Sequence, residues 1–112
     1  MGLTRRYIEI SENGPPSVLK VHETQFNNHL ESGDILIDVK YSGINFADIL
    51  MRLGLYRDAP AKPFIPGYEL SGVVRDIGPD VTKFKIGDEV MAGTKFGGYV
   101  NQIKLADWQI LR

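Results

Sequence analysis

The side chains able to do chemistry gather between Tyr41 and Val81. There the chain reads Y-S-G-I-N-F-A-D-I-L-M-R-L-G-L-Y, then a proline-rich crossing, then P-G-Y-E-L-S-G-V-V-R-D-I-G-P-D-V. Asn45 and Asp48 stand at the spacing of a helix N-cap and its third residue. In that role the Asn45 side-chain oxygen accepts from a free backbone N–H, and an acid at Asp48 suits the positive end of the helix dipole. The same amide and carboxylate would equally serve on the wall of a cleft. Tyr68 carries a phenol, a weak proton donor at its ordinary pKa of ~10, and such a residue more often packs than titrates. Glu69 is an acid placed to hold a backbone turn or an arginine. His22 and His29 have no partner at ligand spacing, so neither points to a metal. With no cysteine in the chain, disulfides, thiolate zinc sites and a cysteine nucleophile are all excluded.

These residues need a scaffold, and the rest of the chain reads as a small one made of strands. Residues 5–10 and 18–23 form a hairpin around S-E-N-G-P-P, whose paired prolines and Gly14 cannot continue a strand. Thr24 to Gly33 is polar and is expected to be loop. From Asp34, Ile35, Ile37, Val39 and Tyr41 alternate with Asp38 and Lys40, which predicts a half-buried strand. A helix of about two turns should follow Asn45 and end at Gly54, with Phe46, Ile49, Leu50 and Leu53 sharing a face and Met51 in the core. Three prolines make Ala59 to Gly67 an extended crossing. Tyr68 to Ile77 is strand-like, and Gly72 in its middle implies close approach of a backbone or ligand. Gly87-Asp88 turns into a strand ending near Met91; further strands are expected after Gly97-Gly98 and around Trp108 to Leu111. Short strands, turns and one short helix without βα alternation argue for a small β-barrel.

The composition is that of a soluble globular domain, 43% hydrophobic and 24% charged over 112 residues. One modest core fits this length; a second domain for a dinucleotide does not. A net charge of −1 with no run of like charges argues against a nucleic-acid partner. The opening M-G-L-T-R-R-Y-I-E-I lacks the apolar region of a signal peptide, and no run approaches the ~18 residues of a membrane span, so a cytoplasmic location is expected.

Taken in order, G-I-N-F-A-D-I-L, G-Y-E-L-S-G, F-K-I-G-D-E-V and G-G-Y-V resemble the N-terminal GroES-like catalytic domain of the medium-chain dehydrogenase/reductase superfamily. The resemblance runs from the first hairpin to Leu111. Zinc alcohol dehydrogenases carry Cys at the position of Asn45 and His at that of Tyr68, in G-H-E-x-x-G; an amide and a phenol are poor zinc ligands. The chain therefore resembles the zinc-independent branch, the quinone oxidoreductases or zeta-crystallins and the vesicle amine transport protein group, whose N-F-A-D wording it shares.

That resemblance implies a mainly β fold with short helices, a partly open GroES-like barrel over residues 1–112. It implies that Asn45, Phe46 and Asp48 face the nicotinamide end of NADPH, and that Tyr56 and Leu50 border the substrate pocket. Asn45, Asp48 and Tyr68 become the catalytic candidates. One departure stands out, since quinone oxidoreductases often have Tyr where this chain has Leu50. The implied reaction is hydride transfer from NADPH to a quinone or an enone without a metal. No G-x-G-x-x-G is present, so the Rossmann cofactor domain is expected elsewhere and this stretch should fold as a monomer that neither binds NADPH nor catalyses reduction alone. The full-length protein would be a homodimer through that missing domain. Two rival implications are a lipid- or membrane-partner role, as in the vesicle amine transport protein group, and a ring-forming GroES-like binding module.

Overall fold

The hairpin forms as the sequence pattern predicts and then runs further. The computed structural model describes residues 2–27 and 29–112, and in it β1 (Gly2–Ile10) pairs antiparallel with β2 (Leu19–Asn27) from Gly2↔Asn27 to Ile10↔Leu19. The first part of the expected Thr24–Gly33 loop is therefore strand. Its polar residues are held by pairing with Gly2–Arg5, and Phe26 is gripped by Arg5 and Lys104, whose cationic groups lie 5.5 and 5.6 Å from its ring. Partner strands overrode a weak local propensity.

The second sheet contains β3 (Asp34–Ser42), β4 (Glu69–Ile77), β5 (Glu89–Gly93), β6 (Gln102–Ala106) and β7 (Ile110–Leu111) in the antiparallel order β6-β3-β4-β5-β7. It curls into a half-barrel of the GroES-like kind. Bridges Tyr7↔Val100 and Ile10↔Phe64 fasten β1 to its margin. Inside lies one apolar core in which Ile35, Ile37, Leu70, Val74, Val90 and Ile103 are all buried.

β3 departs from simple alternation. Irregularities in its pairing with β4, between Leu36/Ile37 and Val39/Tyr41, shift the faces. Leu36 is buried beside Ile35 and Ile37, while Tyr41, expected inward, is 77% exposed. At Gly72 the expected close approach is that of a backbone, because a Cβ there would collide with the Asp38 carbonyl of β3. The strand expected directly after Gly97-Gly98 begins only at Gln102; the residues between form a crossing segment tied by single hydrogen bonds. No helix among the described residues is long and apolar enough to cross a membrane.

α1 (Phe46–Leu53) starts after Asn45 and ends at Gly54 in the left-handed region, as expected. Its expected inner face is wrong. Phe46 is 73% exposed, Ile49 and Leu53 are exposed too, and the helix buries Met51 and Asp48. Met51 joins Ile10 and Phe64 in a second, smaller core, with Ala47 packed against it. Periodicity identified an apolar stripe but not which surface covers it.

Candidate functional site

Asn45 enters α1 in extended conformation, φ −112° and ψ 158°, and its side chain makes no cap hydrogen bond. The sequence reading assigned it that bond. The backbone and the acid do the work instead: Asp48 N–H donates to the Asn45 carbonyl at 3.0 Å, and Asp48 Oδ2 accepts from the Asn45 N–H at 2.9 Å. That is the acid's arm of a capping box.

Asp48 is only 5% exposed. Its Oδ2 takes a second hydrogen bond, 2.8 Å from the Tyr99 hydroxyl. Its Oδ1 and the Asn45 Nδ2 are buried and have no hydrogen-bond partner among the described residues. Leaving a buried donor or acceptor unpaired costs ~1–3 kcal/mol. Unpaired buried polar atoms are rare in folded proteins, and here two of them fall three residues apart at the start of one helix.

Tyr99 was not singled out in the sequence, although its G-G-Y-V motif was. Gly67 lies at φ 118° with Gly98 Cα 2.7 Å from where a Cβ would stand, so the two glycines let the crossings touch. Across that contact Gly97 N–H donates to the Ile65 carbonyl at 2.8 Å, Gly98 N–H to the Gly67 carbonyl at 3.2 Å and Tyr99 N–H to the Pro66 carbonyl at 3.0 Å. On the far side the Tyr99 carbonyl accepts from Ile8 N–H at 3.0 Å. The ring is thus anchored by its own backbone on both sides. Nothing in sequence spacing links position 99 to position 48, and only the fold brings them together.

Tyr68 follows the same glycine contact. It packs with Tyr56 and Phe96 on the small core of Ile10, Met51 and Phe64, its ring centroid 6.2 Å from that of Phe96. The neighbouring Tyr56 hydroxyl first, then burial, and then the charges of Tyr56, Asp48 and Asp58 push its phenol up to about 12. Tyr68 stays protonated at neutral pH, a hydrogen-bond donor rather than a titrating acid. Burial first, and then the Asp48 carboxylate, push Tyr99 up in the same way.

Phe46 and the half-buried Leu50 do not pack on that cluster. Glu69 is exposed; its backbone carbonyl accepts from Gly43 N–H at 3.3 Å and its carboxylate lies over Gly43, where a Cβ would collide. Among the described residues the Glu69 carboxylate makes no hydrogen bond or ion pair, so the turn-holding or arginine-holding role expected of the acid is not seen; the bond to Gly43 belongs to the main chain. Tyr68 and Glu69 also line a groove of about 570 Å³ with Tyr41, Met91 and Leu111. His22 stacks on Tyr7 at 5.6 Å and sits 3.6 Å from Glu9, while Lys104 Nζ donates to the His29 carbonyl. Among the described residues, no three His, Asp or Glu side chains are grouped to hold a metal.

Comparison with known proteins places this geometry. The alcohol dehydrogenase GroES-like domain family matches residues 31–107. A probable quinone oxidoreductase of Schizosaccharomyces pombe is 41% identical over 93 residues, 82% of this chain and 27% of the relative. Among solved structures, the human synaptic vesicle membrane protein VAT-1 homolog-like protein superposes with a TM-score of 0.86 at 26% identity, covering 98% of this chain and 35% of that one. Escherichia coli quinone oxidoreductase complexed with NADPH gives 0.77 at 31% identity, covering 97% and 32%. The chain spans about a fifth to a third of the length of the curated relatives it matches. With the half-barrel, the short helix and the ordered motifs all in agreement, the chain belongs to the alcohol dehydrogenase GroES-like domain family, on its quinone oxidoreductase-like branch.

Proposed function

We propose that this chain forms the substrate-side wall of an NADPH-dependent quinone or enone reductase that works without zinc, its cofactor held mainly by a part of the protein beyond these residues. The observation that carries the reading is that two buried polar atoms at the start of α1, Asn45 Nδ2 and Asp48 Oδ1, have no partner among the described residues. A donor and an acceptor together suit a carboxamide-bearing ring, the chemistry of a nicotinamide. When bound, the cofactor would supply the hydride.

Asn45 and Asp48 would hold its reactive end, with Phe46 bordering it. Tyr56 and Leu50 would border the acceptor. As the acceptor is reduced, negative charge builds on its carbonyl oxygen, and preplaced hydrogen-bond donors stabilise that charge without a metal. Tyr68, neutral and protonated, is suited to donate there, and solvent water delivers the final proton. Asn45 and Tyr68 occupy the positions where zinc enzymes of the superfamily carry Cys and His, which removes two ligands of the usual three. The exposed stripe of Ile44, Phe46, Ile49, Leu53 and Leu55 is the surface on which a cofactor-bearing domain would close.

The same stripe favours a second reading, a lipid-facing surface, given the likeness to the VAT-1 homolog-like protein. Salt-resistant liposome binding by the 112-residue chain would favour it over the enzyme reading.

The enzyme reading is tested in the protein carrying the remaining length its relatives have. Absorbance at 340 nm follows NADPH and NADH oxidation with p-benzoquinone and with a simple enone, before and after chelator treatment. NADPH-linked reduction that chelator leaves intact is expected. No reduction of either acceptor, or activity abolished by the chelator and restored by zinc, contradicts it.

A further inference from the structure

Tyr99 does more than fill space. Asp48 can turn about its terminal torsion, and its two oxygens are then interchangeable unless something fixes them. Two donors converge on Oδ2: the Asn45 N–H at 2.9 Å and the Tyr99 hydroxyl at 2.8 Å. The first belongs to the start of the same helix and moves with it. The second comes from a crossing segment bonded to the Pro66 carbonyl on one side and to Ile8 on the other, so it ties the carboxylate to the sheet margin. With Oδ2 doubly held, Oδ1 is the oxygen left without a partner among the described residues, as is the Asn45 Nδ2.

We infer that Tyr99 is a positioning residue, whose hydroxyl locks the Asp48 carboxylate so that Oδ1 and the Asn45 amide stay presented as one acceptor–donor pair to the nicotinamide cofactor. This rests on the function proposed above. In this role Tyr99 acts through Asp48. Because its phenol is pushed up from the ordinary value, it donates throughout the working pH range. The glycine contact between Gly67 and Gly98 is part of the same device, since it sets how far the Tyr99 ring reaches.

The test is Tyr99→Phe, which keeps the ring and removes only the donor. In the 112-residue chain, the side-chain amide signals of Asn45 in a ¹⁵N-correlated NMR spectrum should move while the Trp108 indole signal, on the exposed turn before β7, stays put. In the protein carrying its remaining length, NADPH binding measured by fluorescence titration should weaken by about 5- to 10-fold, with kcat at saturating cofactor changed far less. In an Asp48→Ala background the hydroxyl has no carboxylate to hold, and Tyr99→Phe should add nothing. Unmoved Asn45 signals overturn the inference, as does wild-type cofactor affinity in Tyr99→Phe or a further loss in the Asp48→Ala background. A wild-type protein that binds no nicotinamide cofactor contradicts the proposed function, whatever Tyr99→Phe does to the Asn45 signals.

Discussion

The half-barrel core and the rim around α1 are built to opposite rules. In the core, Ile35, Ile37, Val74 and their neighbours from facing strands are buried against one another. At the rim, an eight-residue helix turns its apolar stripe outward, buries a carboxylate and leaves a polar donor and acceptor open. The first arrangement makes a stable scaffold. The second is what stability alone would remove, which is where the proposed function is placed.

The contrast breaks most readily under truncation of apolar side chains. Ile37→Ala opens a cavity in a fully buried position and should cost about 2–5 kcal/mol in urea denaturation. Ile49→Ala on the outward stripe should fall within about 0.5 kcal/mol in the isolated chain. Equal losses at the two positions would mean that α1 buries this face, against the structure.

A smaller effect separates the regions by pH. Tyr68 and Tyr99 both belong to the rim and both carry raised phenol pKa values, Tyr68 to about 12 against ~10 for an unfolded chain. Between these values the unfolded chain loses phenol protons that the folded one keeps. Stability contributed by these groups is therefore fully present below pH ~10 and lost as pH rises through the folded value. Melting temperature should decline across that window, and the decline should be shallower in the Tyr68→Phe, Tyr99→Phe double variant. Identical slopes in both proteins would remove the phenols from the account.

How much of this was legible in the sequence follows the same division. The β3 and β4 strands and the helix with its Gly54 end could be read because each depends on near neighbours in the chain. The family resemblance added the fold and the identities of Asn45, Asp48 and Tyr68 as a group. What stayed hidden depended on distant partners. The extension of β2 to Asn27 needed β1 opposite it, the outward turn of Tyr41 needed the irregular pairing with β4, and the inward side of α1 was set by Ile10 and Phe64. Tyr99 was invisible for the same reason, since its one telling contact spans the fold to Asp48. Asn45 misled most, because its type and position are those of a cap while its side chain caps nothing.

That last point is the center of the account, and one comparison tests it most directly. In the protein carrying its remaining length, Asn45→Ala and Asn45→Asp are measured for melting temperature and for NADPH-linked quinone turnover. Since the Asn45 side chain makes no cap bond, neither change should lower the melting temperature by more than about 2 °C, well short of the ~1 kcal/mol expected for a lost cap. Turnover should fall in both by about 10-fold or more, and further in Asn45→Asp, which sets a carboxylate where the open amide donor stands. If Asn45→Asp keeps full turnover and Asn45→Ala harms the protein only by melting it earlier, Asn45 is a cap and the rim is not a site.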